Sequence, residues 1–252
     1  MNPYIRILLL ILLVIAVVAF LVNRYQLAER TKMESSDEEE DAEFERQQPA
    51  EDRQHQHSEA LSRAELLDSL EKLGYFSFTA PEDLATVKEE IAEGYASLRF
   101  LTSELDEETM IGYCGRYYFC DTETLFEIGG LEEYLLKVKP IFDKLGIPLE
   151  WSDEYWSDDI TLHTIVLNGK QYDAFRGNPN DYKIWAIALK NFALMLNDQL
   201  ALHGSDEKMH PMGGGNDATF YILTDAQFAF VRKHFGSKEV PRTVEEWWSL
   251  GG

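Results

Sequence analysis

The chain has 252 residues, 45% of them apolar and 12% aromatic, enough for one hydrophobic core of ordinary domain size, and its two cysteines are too few for a disulfide scaffold. The net charge of −22 argues against nucleic acid as a partner, because affinity for that polyanion comes from lysine and arginine neutralising its phosphates. A basic protein partner suits the charge better.

In chain order, the first feature is an unbroken apolar run from Ile7 to Val22. At ~1.5 Å per residue it reaches about 24 Å as a helix, short of a ~30 Å bilayer core. Ile5 extends it, with Arg6 reaching toward the headgroups and Tyr4 and Tyr25 at the interfaces. This predicts a transmembrane anchor over residues 5–22. The rival is a cleaved signal peptide, with Val17 and Ala19 before the cut, but Phe20, Leu21 and Val22 continue the apolar run past that point. The first cysteine, Cys114, is far too distant for a lipoprotein anchor. Flanking charges (Arg6 before; Arg24, Arg30 and Lys32 after) barely discriminate orientation. The short N-terminal tail favours the rest of the chain on the extracytoplasmic side.

Residues 23–57 read as a charged, disordered linker, with an acidic run from Glu34 to Glu45 followed by Gln, His and Pro49. His55 and His57 could pair on a metal, but two histidines without further ligands read better as spacer. Residues 58–252 form the third unit and hold 34 acids against 17 bases, a net of −17. The acidity therefore belongs to this part as well as to the linker.

Within it, Leu61, Ala64, Leu67, Leu70 and Leu73 repeat at helical spacing and Gly74 ends the helix. Thr79 is expected to cap a second helix running to about Tyr95. Residues 111–128 are aromatic and β-branched enough for one or two strands. Gly129-Gly130 then opens a helix with Leu131, Leu135, Val138 and Phe142 on one face and a kink at Pro140. Leu162–Leu167, Asn168-Gly169 and Lys170–Phe175 spell a β-hairpin with a type I′ turn. Asn180–Leu202 is predicted as a long helix with Trp185, Ala188, Leu189, Phe192, Met195 and Leu196 facing inward. A glycine loop leads into a strand from Thr219 to Leu223, and Asp225 caps a last helix carrying Phe228, Val231 and Phe235. The expected class is α+β, with one antiparallel sheet packed by several helices.

Four groups of residues invite a chemical reading. Gly213-Gly214-Gly215 resembles a phosphate loop only in composition. The expected order is helix, loop, strand, no Lys-Ser/Thr follows, and Asp217 would repel phosphate. A turn is expected there, with Gly214 and Asp217 as minor candidates for lining a ligand or partner pocket. Cys114 and Cys120 could pair across a hairpin if Gly115-Arg116 begins a turn; otherwise they are two small buried thiols. His203, His210 and Asp217 could meet around the glycine loop, but their spacing supports no metal site.

The densest stretch runs from Glu150 to Asp159 and mixes three large aromatics with five carboxylates. Trp151, Asp153, Glu154, Tyr155, Trp156, Asp158 and Asp159 could form a hot spot for a basic protein. Alternatively they could bind a sugar, with two carboxylates doing acid–base work, or form a loop whose aromatics dock on the core while the acids face water. No motif implies a cofactor, a catalytic set or a metal. The expected function is a membrane-tethered, non-enzymatic binding domain for a basic partner, immunity-like or envelope-associated. The alternative is a membrane-anchored hydrolase of envelope glycans or peptides, and a third reading gives the chain an assembly role in which the linker sets reach.

Overall fold

The computed structural model describes residues 61–96, 104–235 and 240–251. The expected anchor over 5–22 and linker over 23–57 lie outside these residues, and no described helix is long and apolar enough to cross a membrane. The fold is α+β. Instead of one sheet there are two, each antiparallel and three-stranded.

Ser62 and Glu65 make a capping box that starts α1 (Arg63–Lys72), and the buried residues are Leu66 and Leu70 while Ala64 faces solvent. Tyr75–Phe78 then form a 3-10 turn, so α2 begins only at Leu84 and ends at Ala96. Thr79 is therefore not a helix cap; its hydroxyl donates to the Cys114 carbonyl at 3.3 Å.

The stretch expected to hold one or two strands gives one strand and a short helix. β1 (Tyr117–Asp121) stops because the Asp121 carboxylate accepts from the amides of Glu123 and Thr124, capping the short α3 (Thr122–Phe126). α4 (Gly130–Lys144) follows and runs through Pro140, which lies on its exposed side. Gly130 is required by proximity: a Cβ there would sit 1.7 Å from the Thr124 carbonyl oxygen, so the backbones of α3 and α4 touch.

One sheet has the order β2-β3-β4, built from β2 (Trp151–Trp156), β3 (Leu162–Leu167) and β4 (Lys170–Arg176). The β3–β4 turn is the expected one, with Asn168 and Gly169 both at positive φ (47° and 80°). Asn168 also ties the sheet to its surroundings. Its side-chain amide donates to the Pro148 carbonyl and to Gln199 Oε1, both at 2.7 Å, and its oxygen accepts from the Glu150 amide at 2.8 Å.

The long helix α5 (Ile184–Leu202) starts four residues later than expected and packs against β4, β5, α3 and α7. Of the six residues expected to face inward, five are buried and Trp185 is half-buried. The second sheet has the order β1-β6-β5, with β5 (Glu207–Met212) and β6 (Asp217–Thr224) joined by the glycine turn. Strand β5 was not expected. Its Pro211 is tolerated because β5 lies at the sheet edge. Thr224, one residue earlier than foreseen, caps α6 (Asp225–His234) with Gln227 completing the box. A further helix, α7 (Val244–Ser249), is capped by Thr243 and Glu246.

Two hydrophobic clusters result. The larger joins α4, α5, β3 and the inner face of β6; the smaller joins α1, α2, α6 and residues Tyr221 and Leu223 of β6. Cys120 sits in the first and Cys114 in the second, and no disulfide joins them. Burial pushes the Cys120 thiol up to about 12, which leaves it unreactive.

Arg116 is 1% exposed and holds the elements around the smaller cluster in register. It donates to Glu207 on β5 at 2.9 Å, to the carbonyls of Tyr75 and Ile222, and to Ser77 Oγ. Its guanidinium also lies 4.2 Å from the Phe78 ring centroid. Burial pushes the Glu207 carboxyl up, against the downward pull of Arg116.

Candidate functional site: the acidic edge strand

The aromatic and acidic stretch at 150–159 is an edge strand and its following turn, not a loop. β2 pairs on one side only, with β3. In a regular strand, Trp151 and Trp156 would point to opposite faces, because they are an odd number of residues apart. The structure resolves this with a register shift between Ser152 and Tyr155, where Asp153 takes a φ of 51°. The extra residue turns the second half of the strand over. Trp151 then stands opposite Leu167 and Trp156 opposite His163, so both tryptophans share the face that packs inward.

Trp151 packs on the larger core. Trp156 stacks on His163 with ring centroids 3.9 Å apart and planes at 15°, and meets Phe126 edge-on at 5.6 Å. Phe126 in turn meets Phe175 edge-on at 5.0 Å. A second register shift, in the β3–β4 pair, falls between His163 and Thr164.

The two irregularities bring Glu154 against the buried imidazole of His163, with Oε1 2.9 Å from Nε2. His163 is 2% exposed. Burial pushes its pKa down, and Glu154 only partly offsets this. The neutral ring, with Nε2–H donating to the carboxylate, is the form this environment favours at neutral pH. The enclosed space beside His163, lined with Leu125, Phe126, Leu131 and Phe175, is about 10 Å³, room for one water and no substrate.

The outward side carries the charge. Asp153, Asp158 and Asp159 are exposed, and Tyr155 is 55% exposed between them. Asp153 accepts from Ser152 Oγ at 3.0 Å, and Asp159 from Thr161 Oγ1 at 2.8 Å. Hydrogen bonds from Ser157 and Thr161 hold the Asp159 carboxyl below its usual range. None of Glu150, Asp153, Asp158 and Asp159 has a lysine or arginine partner among the described residues. Elsewhere some surface acids are paired, such as Asp68 with Lys72, Glu133 with Lys137, Asp173 with Arg176, Asp198 with Lys170 and Asp225 with Lys208, and others, such as Glu107, Glu108 and Glu127, are in no ion pair among the described residues.

Gly214 and Asp217 belong to the other sheet. Gly214 is exposed in the β5–β6 turn, and Asp217 opens β6 opposite Asp121. The order at the triple glycine is strand, turn, strand, with Gly213 and Gly215 at positive φ. His203 sits at the C-terminus of α5, its Nδ1–H donating to the Gln199 carbonyl at 2.9 Å. His210 is buried on β5 and stacks on Phe228 at 4.1 Å. Among the described residues, no three of His, Cys, Asp or Glu are grouped to hold a metal.

An open groove of about 590 Å³ lies between β4 and α5, lined by Lys170, Tyr172, Asp173, Asn191, Leu194 and Asp198 among others. Its polar groups are satisfied internally. Lys170 and Tyr172 both bond Asp198, Gln199 donates to the Tyr172 hydroxyl at 2.6 Å, and Asn191 donates to the Ala174 carbonyl.

Sequence reasoning placed Glu154 and Trp156 in the candidate site and missed His163 and Phe126. A histidine amid the apolar residues of β3 was the available signal. The chain matches no protein-family model, and no curated protein and no solved structure shows significant similarity to it.

Proposed function

We propose that this chain is a membrane-tethered, non-enzymatic binding protein whose acidic edge strand captures a basic protein partner. Residues 5–22 serve as the single-pass anchor and residues 23–57 as an extended, disordered tether. Residues 58–252 then work at the membrane surface, on the extracytoplasmic side. An immunity-like or envelope-associated role fits this arrangement.

One observation carries the reading: Glu150, Asp153, Asp158 and Asp159, all exposed and without a cationic partner among the described residues, lie within ten residues of chain around the exposed Tyr155. Unpaired acids around an exposed tyrosine offer charge for steering and an aromatic group for contact. The register shift in β2 twists and blunts the open edge, so this face offers side chains more than backbone to a partner. A hydrolase would need two carboxylates converging on a cleft. Here Asp153, Asp158 and Asp159 face solvent, and Glu154 is committed to His163.

The test is capture by the full chain in detergent, with the bound partner measured against rising salt and against the D153K/D158K/D159K variant. Bound fraction should fall with salt, and the variant should lose the partner. A bound fraction indifferent to both salt and charge reversal would sink the proposal.

A further inference from the structure

The N-terminal end of α5 and the nearby α7 bring together two lysines that make no ion pair among the described residues. Six lysines of the described residues (Lys72, Lys88, Lys137, Lys139, Lys170 and Lys208) are ion-paired. Lys183 and Lys190 are not. Both ammonium groups lie over the ring of Trp248, at 5.3 and 4.3 Å from its centroid, and Lys183 also lies 5.7 Å from that of Tyr182. Tyr182 is 87% exposed and Leu250 is 67% exposed.

Of the nearby acids, Glu246 pairs with Arg232 at 2.5 Å, Asp181 accepts from the Lys183 backbone amide at 2.9 Å, and Glu245 is exposed on α7. An indole attracts a cation without neutralising it. Neither lysine is therefore neutralised by an ion pair among the described residues, on a region whose net charge is −17.

We propose that Tyr182, Lys183, Lys190, Trp248 and Leu250 form a surface that rests on anionic phospholipid headgroups. The chemistry matches that boundary: the lysines meet the phosphates, the aromatics sit at headgroup depth, and Leu250 enters the acyl margin. The net acidity repels an anionic bilayer everywhere else, so this surface sets which side faces the membrane. The inference rests on the anchored reading above and adds an orientation to it.

The test uses the full chain in nanodiscs whose lipids carry brominated acyl chains, made of phosphatidylcholine alone or mixed with phosphatidylglycerol. Tryptophan quenching should increase when phosphatidylglycerol is present, and both Trp248→Phe and K183E/K190E should remove that increment. Failure of the chain to enter the discs refutes the anchor and this surface together. Entry with equal quenching in the two mixtures, or an increment that survives either variant, refutes the surface alone. Trp248 emission that shifts with polyglutamate but not with phosphatidylglycerol would mark an acidic protein partner and overturn the lipid assignment.

Discussion

The edge strand at 150–159 and the α5–α7 corner are made of the same ingredients, large aromatics beside charges, and they present opposite surfaces. In β2 the two tryptophans turn inward onto His163 and the larger core, and the acids are left in water with no counter-ions. At the α5–α7 corner Tyr182 stays exposed, and the half-buried Trp248, itself packed on the larger core, holds two cations over its ring. Geometry makes the difference. A strand paired along one edge sorts residues by alternation, whereas a helix end gathers side chains from two elements around one half-buried ring. Aromatic content alone therefore says little about the sign or stickiness of a surface.

The largest expected effect removes the frame behind the fold. Glu207→Ala leaves the Arg116 charge buried without its carboxylate, and should cost about 3–5 kcal/mol in denaturant unfolding. A small loss would mean that water reaches Arg116.

Next comes acid sensitivity. Burial pushes the pKa of His210 down to about 4, so the folded state favours the neutral ring. Its contribution should be complete above the ordinary histidine pKa near 6.5 and be lost as pH falls toward 4, a change of about 3 kcal/mol. His210→Phe should flatten that part of the stability profile. An unchanged acid limb would assign the loss to other groups.

Smaller still, Trp156→Leu removes the stack on His163 and the edge contact with Phe126, at a cost of about 1–3 kcal/mol. Hydrogen exchange should quicken in β2 more than in β4. Equal quickening would show that the sheet opens as one unit.

The mildest change sharpens the comparison most. D153K/D158K/D159K should lower the unfolding midpoint only modestly, through the positive φ at Asp153 and the lost Asp159–Thr161 bond, yet slow association with a basic partner about tenfold or more. The reversal K183E/K190E should leave that association unchanged.

Much of the fold was legible from local chemistry. Asn168-Gly169 announced its turn because few other residues accept two successive positive φ values. The inward stripe of α5 was readable because a helix with one buried side must repeat its apolar residues. Other features depended on tertiary context. Strand β5 contains Lys208, His210 and Pro211, and only its edge position makes that composition acceptable. α7 is six residues long, too short for periodicity to register. β2 was hidden by its own irregularity, since tryptophans five positions apart have the wrong spacing for one face until a bulge is added. Asp121-Thr-Glu-Thr was a readable capping signal inside a stretch that otherwise looked like strand. In the candidate site the acids could be found by composition alone. The Glu154–His163 contact could not, because it depends on two register shifts.

Asn168 has a consequence for the order in which the molecule assembles. The two-residue turn involves only local backbone and can close within about 1–10 μs. Its side-chain bond to Gln199 spans 31 residues and must wait for α5 to dock. One residue thus acts twice, first as a hinge that lets β3 and β4 meet and later as a latch that holds the hairpin against α5. Removing the latch while keeping the hinge, as Asn168→Gly would, should hasten unfolding and leave the folding rate nearly unchanged.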